Sequence, residues 1–134
     1  ISSGSPIKVF NYGKMSRDFT YIDDVIEAIC KIIIKIPSED DNFDTDLPNP
    51  STSFAPSRIF NIGNNKPVKL LTFIDLIEKN LGKKALKNFE PLQSGDVIST
   101  FADIDNVKEW VDFNPVISID IGIEKFIRWF KSYY

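Results

Sequence analysis

Two polar stretches of this sequence carry the side chains best suited to binding chemistry. The first, NYGKMSRDFTYIDD, places Arg17 between a glycine-containing turn and the start of an acid-rich helix. A guanidinium is always charged, and its fork of donors matches a diphosphate bidentately. The residues alone leave two interpretations of Arg17 equally open: a surface ion pair, and a contact with a phosphorylated ligand.

The second stretch is PLQSGDV, where Gly95 permits close approach of the backbone. Gln93 and Asp96 flank this glycine with an amide and a carboxylate. A carboxylate suits a sugar diol, because it can accept hydrogen bonds from two hydroxyl groups. Taken by themselves, the residues favour an ordinary turn over a sugar site.

The common catalytic and metal-binding groups are missing from the sequence. It has no histidine, one cysteine, and no G-x-G-x-x-G, P-loop or nucleophile-elbow motif. Cys30 can therefore form neither an internal disulfide nor a plausible zinc site, and we interpret it as a small apolar residue on a buried helix. The chain by itself is predicted to be non-catalytic and to bind no metal.

Composition and charge exclude several classes of partner. With 134 residues, 43% of them hydrophobic, the chain has the size of one compact domain with a core. Its net charge of −3 and isoelectric point near 4.9 provide no basic field for a nucleic acid or an anionic membrane. The apolar run at residues 25–36 is interrupted by charges and is shorter than the roughly 20 residues of a membrane span. A reducing, cytoplasmic setting fits the lone cysteine.

Hydrophobic periodicity predicts the elements that position these groups. IKVF, residues 7–10, is typical of a short strand. Isoleucine and valine recur at helical spacing over residues 22–36, which predicts a core-facing helix that ends at Pro37. Asp24 lies in the first turn of this helix, where capping is a better explanation than chemistry.

A long irregular segment and a strand are predicted next. Residues 37–57 are acidic, rich in proline and without periodicity, and they lack the spacing and central glycine of a calcium-binding EF-hand. We interpret them as a solvated surface loop. RIFNIG, residues 58–63, predicts a strand closed by Gly63.

The second half of the sequence predicts three more helices and a strand. One helix has Thr72 as its N-cap, Asp75 in the capping-box position and Gly82 as its C-terminal stop. KNFEPL predicts a strand, and DIDNVKEW a short helix capped by Asp103. Residues 120–133 predict a final amphipathic helix.

Three ordered stretches give the sequence a resemblance to a known family. GSPIKVFNYGKMSRDFTYIDDVIEAI, NPSTSFAPSRIFNIGN and PLQSGDVISTFADIDNVKEW resemble the C-terminal part of extended short-chain dehydrogenase/reductase nucleotide-sugar epimerases, above all the UDP-glucuronate 4-epimerases. The resemblance covers nearly the whole chain. It implies an α/β fold in which residues 1–134 form the C-terminal UDP-sugar-binding portion, with mixed short strands and about four helices. The chain opens at Ile1 without an initiator methionine, and we expect a fragment that lacks the N-terminal NAD-binding Rossmann part.

The resemblance also implies an activity and a cofactor. Family enzymes use bound NAD to oxidise the sugar at C4, let the keto-sugar rotate, and return the hydride to the opposite face. Their Tyr-x-x-x-Lys pair and their NAD site belong to the Rossmann part, and none of the tyrosines here has a lysine four positions later. The chain is therefore expected to contribute no catalytic or cofactor-binding residue, and to be inactive alone.

On the substrate side, the resemblance assigns roles to five residues. Lys8 and Phe10 are expected beside the uracil, with Phe10 as an apolar wall. Arg17 is expected to contact the diphosphate, and Asp96 the ribose hydroxyls. Gln93 stands where many related enzymes carry arginine, a departure typical of the glucuronate-type enzymes. One cation is thereby lost from the phosphate site, so Arg17 is expected to matter more here.

Alternatives stay open inside and outside this family. Decarboxylases, dehydratases and other epimerases share the scaffold, and the glucuronate preference depends on NPSTSFAPSR and PLQSGDV. A stand-alone binding or interaction module that uses the acidic residues 39–46 is the other alternative. A UDP-sugar is the expected partner. Apolar surface on such a chain also predicts self-association, including a homodimer, or a conformation that departs from that of the family.

Overall fold

The chain folds into four short strands and four helices. The computed structural model describes all 134 residues, Ile1–Tyr134. A 3-10 turn at Phe10–Gly13 joins the first two strands. The predicted mixed α/β fold with about four helices is confirmed. None of the helices combines the length and the apolar character of a membrane span. In chain order, the elements are β1 (Ile7–Val9), β2 (Ser16–Arg17), α1 (Ile22–Ile33), β3 (Val68–Lys69), α2 (Leu70–Leu81), β4 (Lys87–Phe89), α3 (Asp105–Val111) and α4 (Ile119–Tyr133).

Two small sheets bring distant parts of the chain together. β1 pairs in parallel with β4, which confirms the strands predicted in IKVF and KNFEPL, and β2 pairs antiparallel with β3. On its other side, β2 meets residues 98–100. The Ser16 N–H donates to the Ile98 carbonyl at 2.9 Å, and the Thr100 N–H donates to the Ser16 carbonyl at 3.3 Å. Because β2 is flanked on both sides, Arg17 at its end lies between two other chain segments.

The main hydrophobic core lies between α1 and α3. Phe113 and Val107 are fully buried there, together with Ala28 of α1. Phe60 and Ile62 pack against this cluster from the long connection between α1 and β3. A second contact packs α2 against α4.

Residues 58–63 form no strand, so the strand predicted in RIFNIG is wrong. A strand needs a hydrogen-bonded neighbour, and no segment forms a ladder with these residues. The Ile59 N–H donates instead to the Ser51 carbonyl at 3.1 Å. The apolar side chains that suggested a strand, Phe60 and Ile62, serve the core from an irregular backbone.

The acidic segment at residues 37–57 contains turns but no helix or strand. Two of its carboxylates accept hydrogen bonds from backbone N–H groups of its own turns. Asp40 Oδ1 accepts from the Asn42 N–H at 3.1 Å, and Asp44 Oδ1 accepts from the Asp46 N–H at 2.8 Å. These acids are thus used for local turn formation, as is usual for aspartate in loops.

α1 ends earlier than predicted, and the side predicted to face the core is exposed. Ile22, Ile26 and Ile33 have 59%, 50% and 71% of their surface exposed. The helix packs on α3 through the side that carries Ala28 and Ile32, so the helical period and the core contact of Ile32 were predicted correctly, while the exposed isoleucines were wrongly placed in the core. Cys30 is also exposed, which corrects its interpretation as a buried residue. We call the exposed side the isoleucine face; it consists of Ile22, Ile26, Ile29 and Ile33.

The Asp24 carboxylate does not cap its own helix, so that prediction is also wrong. Asp24 is only 2% exposed, and it accepts hydrogen bonds from the N–H groups of Val116 at 3.3 Å and Ile117 at 3.1 Å. The N-cap position of α1 is Tyr21, which makes no side-chain capping bond. Asp24 lies in the first turn of α1, but its carboxylate accepts from the backbone of another segment. These hydrogen bonds connect α1 to the residues that precede α4.

α2 begins at Leu70, so the capping box predicted at Thr72 and Asp75 is wrong. The first N–H groups of a helix need acceptors, and the Leu70 N–H finds one in the Met15 carbonyl at 2.8 Å. This bond lets the helix start directly after β3 without a capping side chain. The predicted stop is confirmed, because Gly82 adopts the left-handed conformation with φ of 71°.

The last two helices lie close to their predicted positions. The Asp103 carboxylate accepts from the Asp105 N–H at 3.0 Å, and so serves the start of α3 from one residue further away than an N-cap. α4 follows Ser118, whose Oγ accepts from the Ile121 N–H at 3.5 Å. The observed bounds differ by only one or two residues from the predicted ones, residues 103–110 for α3 and residues 120–133 for α4.

Glu78 of α2 is a buried acid surrounded by cations. It is 2% exposed, and its carboxylate accepts from Lys84 Nζ at 2.6 Å, from Lys87 Nζ and from the Ala85 N–H. The hydrogen bond from Lys84, followed by that from Lys87, lowers the pKa of Glu78 from 4.5 to about 2. Sequence analysis gave no sign of this cluster.

The Glu78 cluster predicts a loss of stability in acid. Because the folded pKa is depressed, the stabilisation is complete above the unfolded pKa of 4.5 and is lost as pH falls through the folded pKa of about 2. Urea unfolding between these pH values should show a falling free energy of unfolding, and Glu78→Gln should flatten part of that fall. Glu124→Gln on the exposed side of α4 is the control. An unchanged pH profile in Glu78→Gln would contradict this assignment.

Candidate functional site

Arg17 is held at the end of β2 by three acceptors. Its Nη1 donates to the Ser16 carbonyl at 2.8 Å and to the Ile98 carbonyl at 3.2 Å. Its Nη2 donates to Asp96 Oδ1 at 2.8 Å. A guanidinium has five N–H donors, so at least two are left without an acceptor in the chain. Since the side chain is 25% exposed, the site can offer these donors to a ligand at the surface.

Asp96 is presented to Arg17 by a tight turn. The Asp96 N–H donates to the Gln93 carbonyl at 3.1 Å, and Gly95 adopts a φ of 81°. The backbone of PLQSGDV is therefore the turn that its residues favoured. Asp96 Oδ1 accepts from Arg17 and from the Val97 N–H at 2.9 Å, while Oδ2 makes no hydrogen bond within the chain. The structure thus joins two candidate residues that lie 79 positions apart.

The other three candidate residues are not bonded to this ion pair through their side chains. Lys8 Nζ lies 3.5 Å from Glu90 Oε1, across β1 and β4. Phe10 is half-buried and opens the 3-10 turn after β1. Gln93 is exposed, and only its backbone carbonyl contacts Asp96. Their roles in a nucleotide site stay predictions.

Asp18 is a polar residue of this region that the sequence analysis did not single out. Its carboxylate accepts from the backbone N–H groups of Asn65 at 3.0 Å, Lys66 at 3.2 Å and Ala102 at 3.1 Å. Its own N–H donates to Thr100 Oγ1 at 3.1 Å. The signal available in the sequence was the NIGNNK turn, whose backbone N–H groups needed an acceptor.

Close packing beside Asp18 requires glycine at position 63. A Cβ on Gly63 would lie 2.3 Å from the Cβ of Ala102 and 3.0 Å from Asp18 Oδ2. The first distance is far inside van der Waals contact, so any side chain there would push the Ala102 segment away. Gly63 thus permits the approach of the two segments that Asp18 binds.

Two cavities of the structure are lined by residues other than the ion pair. One of about 290 Å³ is lined mainly by apolar side chains from α2, α4 and the start of α1, including Phe19 and Phe73, whose rings stack at 4.1 Å. Another, of about 180 Å³, is polar and includes Lys66 and Lys108. Neither is lined by Arg17 or Asp96, and the ion pair is partly exposed, with 25% and 35% of the two side chains accessible.

Comparison with known proteins gives consistent similarities along the chain. The NAD dependent epimerase/dehydratase family matches residues 1–63. Protein CapI of Staphylococcus aureus is 43% identical and a probable UDP-glucuronate 4-epimerase of Rhizobium meliloti is 38% identical, each over all of this chain and 40% of the relative. The crystal structure of UDP-glucuronic acid 4-epimerase from Bacillus cereus, in complex with UDP-glucuronic acid and NAD, superposes with a TM-score of 0.74 at 27% identity. That match covers 98% of this chain and 37% of the other. The chain therefore spans about 40% of the length of these curated relatives.

Proposed function

We propose that the chain belongs to the extended short-chain dehydrogenase/reductase nucleotide-sugar epimerases, and that residues 1–134 form the UDP-sugar-binding part of an NAD-dependent UDP-glucuronate 4-epimerase. The proposed reaction of the complete protein interconverts UDP-glucuronate and UDP-galacturonate. The choice of substrate is supported by the relative that is named a probable UDP-glucuronate 4-epimerase and by the similar structure with bound UDP-glucuronic acid.

The observation that carries the proposal is the geometry of Arg17 beside Asp96. The guanidinium keeps at least two open N–H donors, which suit the oxygens of a diphosphate. The open Oδ2 of Asp96 can accept from ribose hydroxyls a short distance along the same surface. A partly exposed ion pair contributes only roughly 0.2–1 kcal/mol to stability, so stability alone gives little reason for this arrangement.

The remaining candidate residues complete the proposed nucleotide site. Lys8 and Phe10 lie at the end of β1, and we assign the uracil to their side, with the Phe10 ring as an apolar wall. Gln93 contributes a neutral amide where an arginine would add charge. Arg17 is then the main cation for the diphosphate, and its replacement should strongly reduce the affinity for the UDP-sugar.

No group of residues here fits NAD. A dinucleotide needs a glycine-rich turn between a strand and a helix N-terminus, and neither the sequence spacing nor β1 to β4 provides one. We therefore assign NAD and the chemistry at C4 to a part of the protein outside these residues. The proposed role of this chain is to bind and orient the nucleotide while the sugar rotates.

The isoleucine face is the surface that we assign to contact with the NAD-binding part. It is an exposed apolar side of a helix, and contiguous apolar surface of this kind marks interaction sites. Contact between two copies of the chain through the same face is the homodimer alternative.

The binding part of the proposal is tested by titrating the chain with UDP while amide NMR shifts are recorded. We expect saturable shifts at Phe10, Arg17 and Asp96 with UDP and UDP-glucuronate. UMP is the matched control ligand: it carries one phosphate fewer, so it should bind more weakly because Arg17 loses an acceptor. Shifts that do not saturate, or that fall elsewhere on the chain, would contradict this location of the site.

The reaction is tested on the intact protein supplied with NAD⁺ and UDP-glucuronate. Formation of UDP-galacturonate is the expected result. Release of carbon dioxide or formation of a dehydrated sugar would assign the protein to another reaction on the same scaffold. An intact protein that leaves UDP-glucuronate unchanged, together with a folded chain that binds no UDP, would overturn the proposed function.

A further inference from the structure

Three segments of the chain meet at Asp18, immediately after β2. Residues 65–66, which lead into β3, lie on one side, and residues 98–102, which follow the Asp96 turn, lie on the other. The carboxylate takes donors from both sides: Oδ1 accepts from Lys66, and Oδ2 accepts from Asn65 and Ala102. Two segments that are far apart in the chain are thus connected through one side chain.

The segment that carries Asp96 has little burial to hold it in place. Residues 91–99 are all exposed, so their position depends on polar contacts rather than on packing. Those contacts include the bonds of Ser16 with Ile98, Ser99 and Thr100, the bonds of Arg17 with Asp96 and Ile98, and the bond of the Asp18 N–H with Thr100. They also include the bond from the Ala102 N–H to the Asp18 carboxylate, and we call the three bonds of that carboxylate, with Asn65, Lys66 and Ala102, the clamp. The clamp is the polar contact that connects this segment to residues 65–66, beside the close packing of Gly63 against Ala102.

We propose that Asp18 is a positioning residue for the nucleotide-sugar site: by holding residues 65–66 and Ala102 on either side of β2, its carboxylate sets the position of the Asp96 turn relative to Arg17. This inference rests on the proposed function. Asp18 touches no ligand in this scheme, and it acts on binding through the Arg17–Asp96 pair.

The chemistry of the clamp requires a carboxylate. Three N–H donors converge on two oxygens that only accept, so every bond is satisfied. Asparagine offers one oxygen and one NH₂ group, and that NH₂ would face a backbone N–H. Asp18→Asn therefore removes at least one bond and places an NH₂ group against one or two backbone N–H donors, with almost no change in side-chain volume. The Asp96 turn would then lose its fixed position beside Arg17.

The test is a double-variant cycle on UDP binding, measured by calorimetry on the intact protein. Asp18→Asn is expected to raise the Kd for UDP about tenfold in an otherwise unchanged protein. In an Arg17→Ala background the same substitution is expected to raise Kd by clearly less than tenfold, because the ion pair through which Asp18 acts is already broken and only the contact of Asp96 with the ribose is left. Thr100→Val, which removes only the acceptor for the Asp18 N–H, should give a smaller effect in the same direction and serves if Asp18→Asn does not fold.

Asp24→Asn provides the matched control. Asp24 is another carboxylate that accepts two backbone N–H groups from a distant segment, at Val116 and Ile117, and it has no bond to the Arg17 region. Its replacement should lower the urea midpoint while leaving the Kd for UDP unchanged. Stability loss and loss of positioning are thereby separated.

Three outcomes would overturn the inference. The first is an unchanged Kd for UDP in Asp18→Asn, and the second is an equal loss of affinity in both backgrounds of the cycle. If the wild-type protein binds no UDP, the proposed function fails; the positioning claim is then decided by the amide shifts of residues 96–102 in the ligand-free protein. Those shifts should move in Asp18→Asn and not in Asp24→Asn. Unmoved shifts in Asp18→Asn are the third outcome.

Discussion

Arg17→Ala is expected to weaken UDP-glucuronate binding by about 10- to 150-fold. A hydrogen bond to a charged group is worth roughly 1.5–3 kcal/mol, and about 1.4 kcal/mol corresponds to a factor of ten in affinity. Three features raise the expected effect: Gln93 supplies no second cation, the guanidinium is only 25% exposed, and its removal leaves the Asp96 carboxylate facing the diphosphate. Calorimetric titration of the variant and the wild-type protein measures the change.

Arg128→Ala is the control for Arg17→Ala, because it also removes one arginine and one ion pair. Arg128 pairs with Glu124 at 2.7 Å along α4, and its side chain is 77% exposed. We expect no change in affinity from it. Arg17→Lys should recover only part of the binding, since lysine keeps the charge but loses the fork of donors. Equal affinities for Arg17→Ala and Arg128→Ala would remove Arg17 from the site.

Asp96 complicates the interpretation of Arg17→Ala, and a double variant resolves the difficulty. If part of the loss comes from repulsion between the uncompensated Asp96 carboxylate and the diphosphate, Asp96→Asn should cost less affinity in the Arg17→Ala background than in the wild-type protein. If Asp96 binds ribose hydroxyls, the single variant Asp96→Asn should also bind more weakly than the wild-type protein. The two effects have opposite signs, so both can be obtained from one set of titrations.

Local signals in the sequence predicted the parts of the fold that depend on nearby residues. The stop at Gly82 needs only a residue that tolerates left-handed φ, and the period of α4 lies within one helix. The start of α2 was missed because the acceptor for the Leu70 N–H is Met15, which a capping rule based on neighbouring residues does not include. Caps supplied by distant backbone leave no local pattern.

The errors at α1 and at RIFNIG have a common physical cause. Periodicity shows that one side of a helix is apolar, but the tertiary contact decides which side is buried, and α3 covers the side of Ala28. A strand likewise exists only through its neighbour, and residues 58–63 have none. Asp24 follows the same rule, because its partners at Val116 and Ile117 come together with it only in the folded chain.

The sequence identified the candidate residues of the site, and the structure added the contact between two of them, Arg17 and Asp96. Arg17 and Asp96 were chosen from separate motifs, and their ion pair at 2.8 Å could not be read from either motif. The residues alone did not decide whether Arg17 forms an ion pair or contacts a ligand. The structure contains the ion pair and leaves at least two donors free, so the two interpretations are compatible.

Phe113→Ala is expected to lower the free energy of unfolding by about 3–5 kcal/mol. Phe113 has no exposed surface and belongs to the cluster that joins α1 to α3. Its removal leaves a cavity that Ala28 and Val107 cannot fill without moving both helices. Urea unfolding followed by tryptophan fluorescence measures the change, since Trp110 of α3 contacts Phe60 beside this cluster.

Phe101→Ala separates this core effect from the loss of any phenylalanine. Phe101 is 63% exposed, so its replacement should change the free energy of unfolding by less than about 1 kcal/mol. Domains of this size are commonly stable by about 5–15 kcal/mol, so the Phe113 variant should lose a large share of its stability and unfold at much lower urea. A loss as small as that of Phe101→Ala would mean that α3 is not anchored through this cluster.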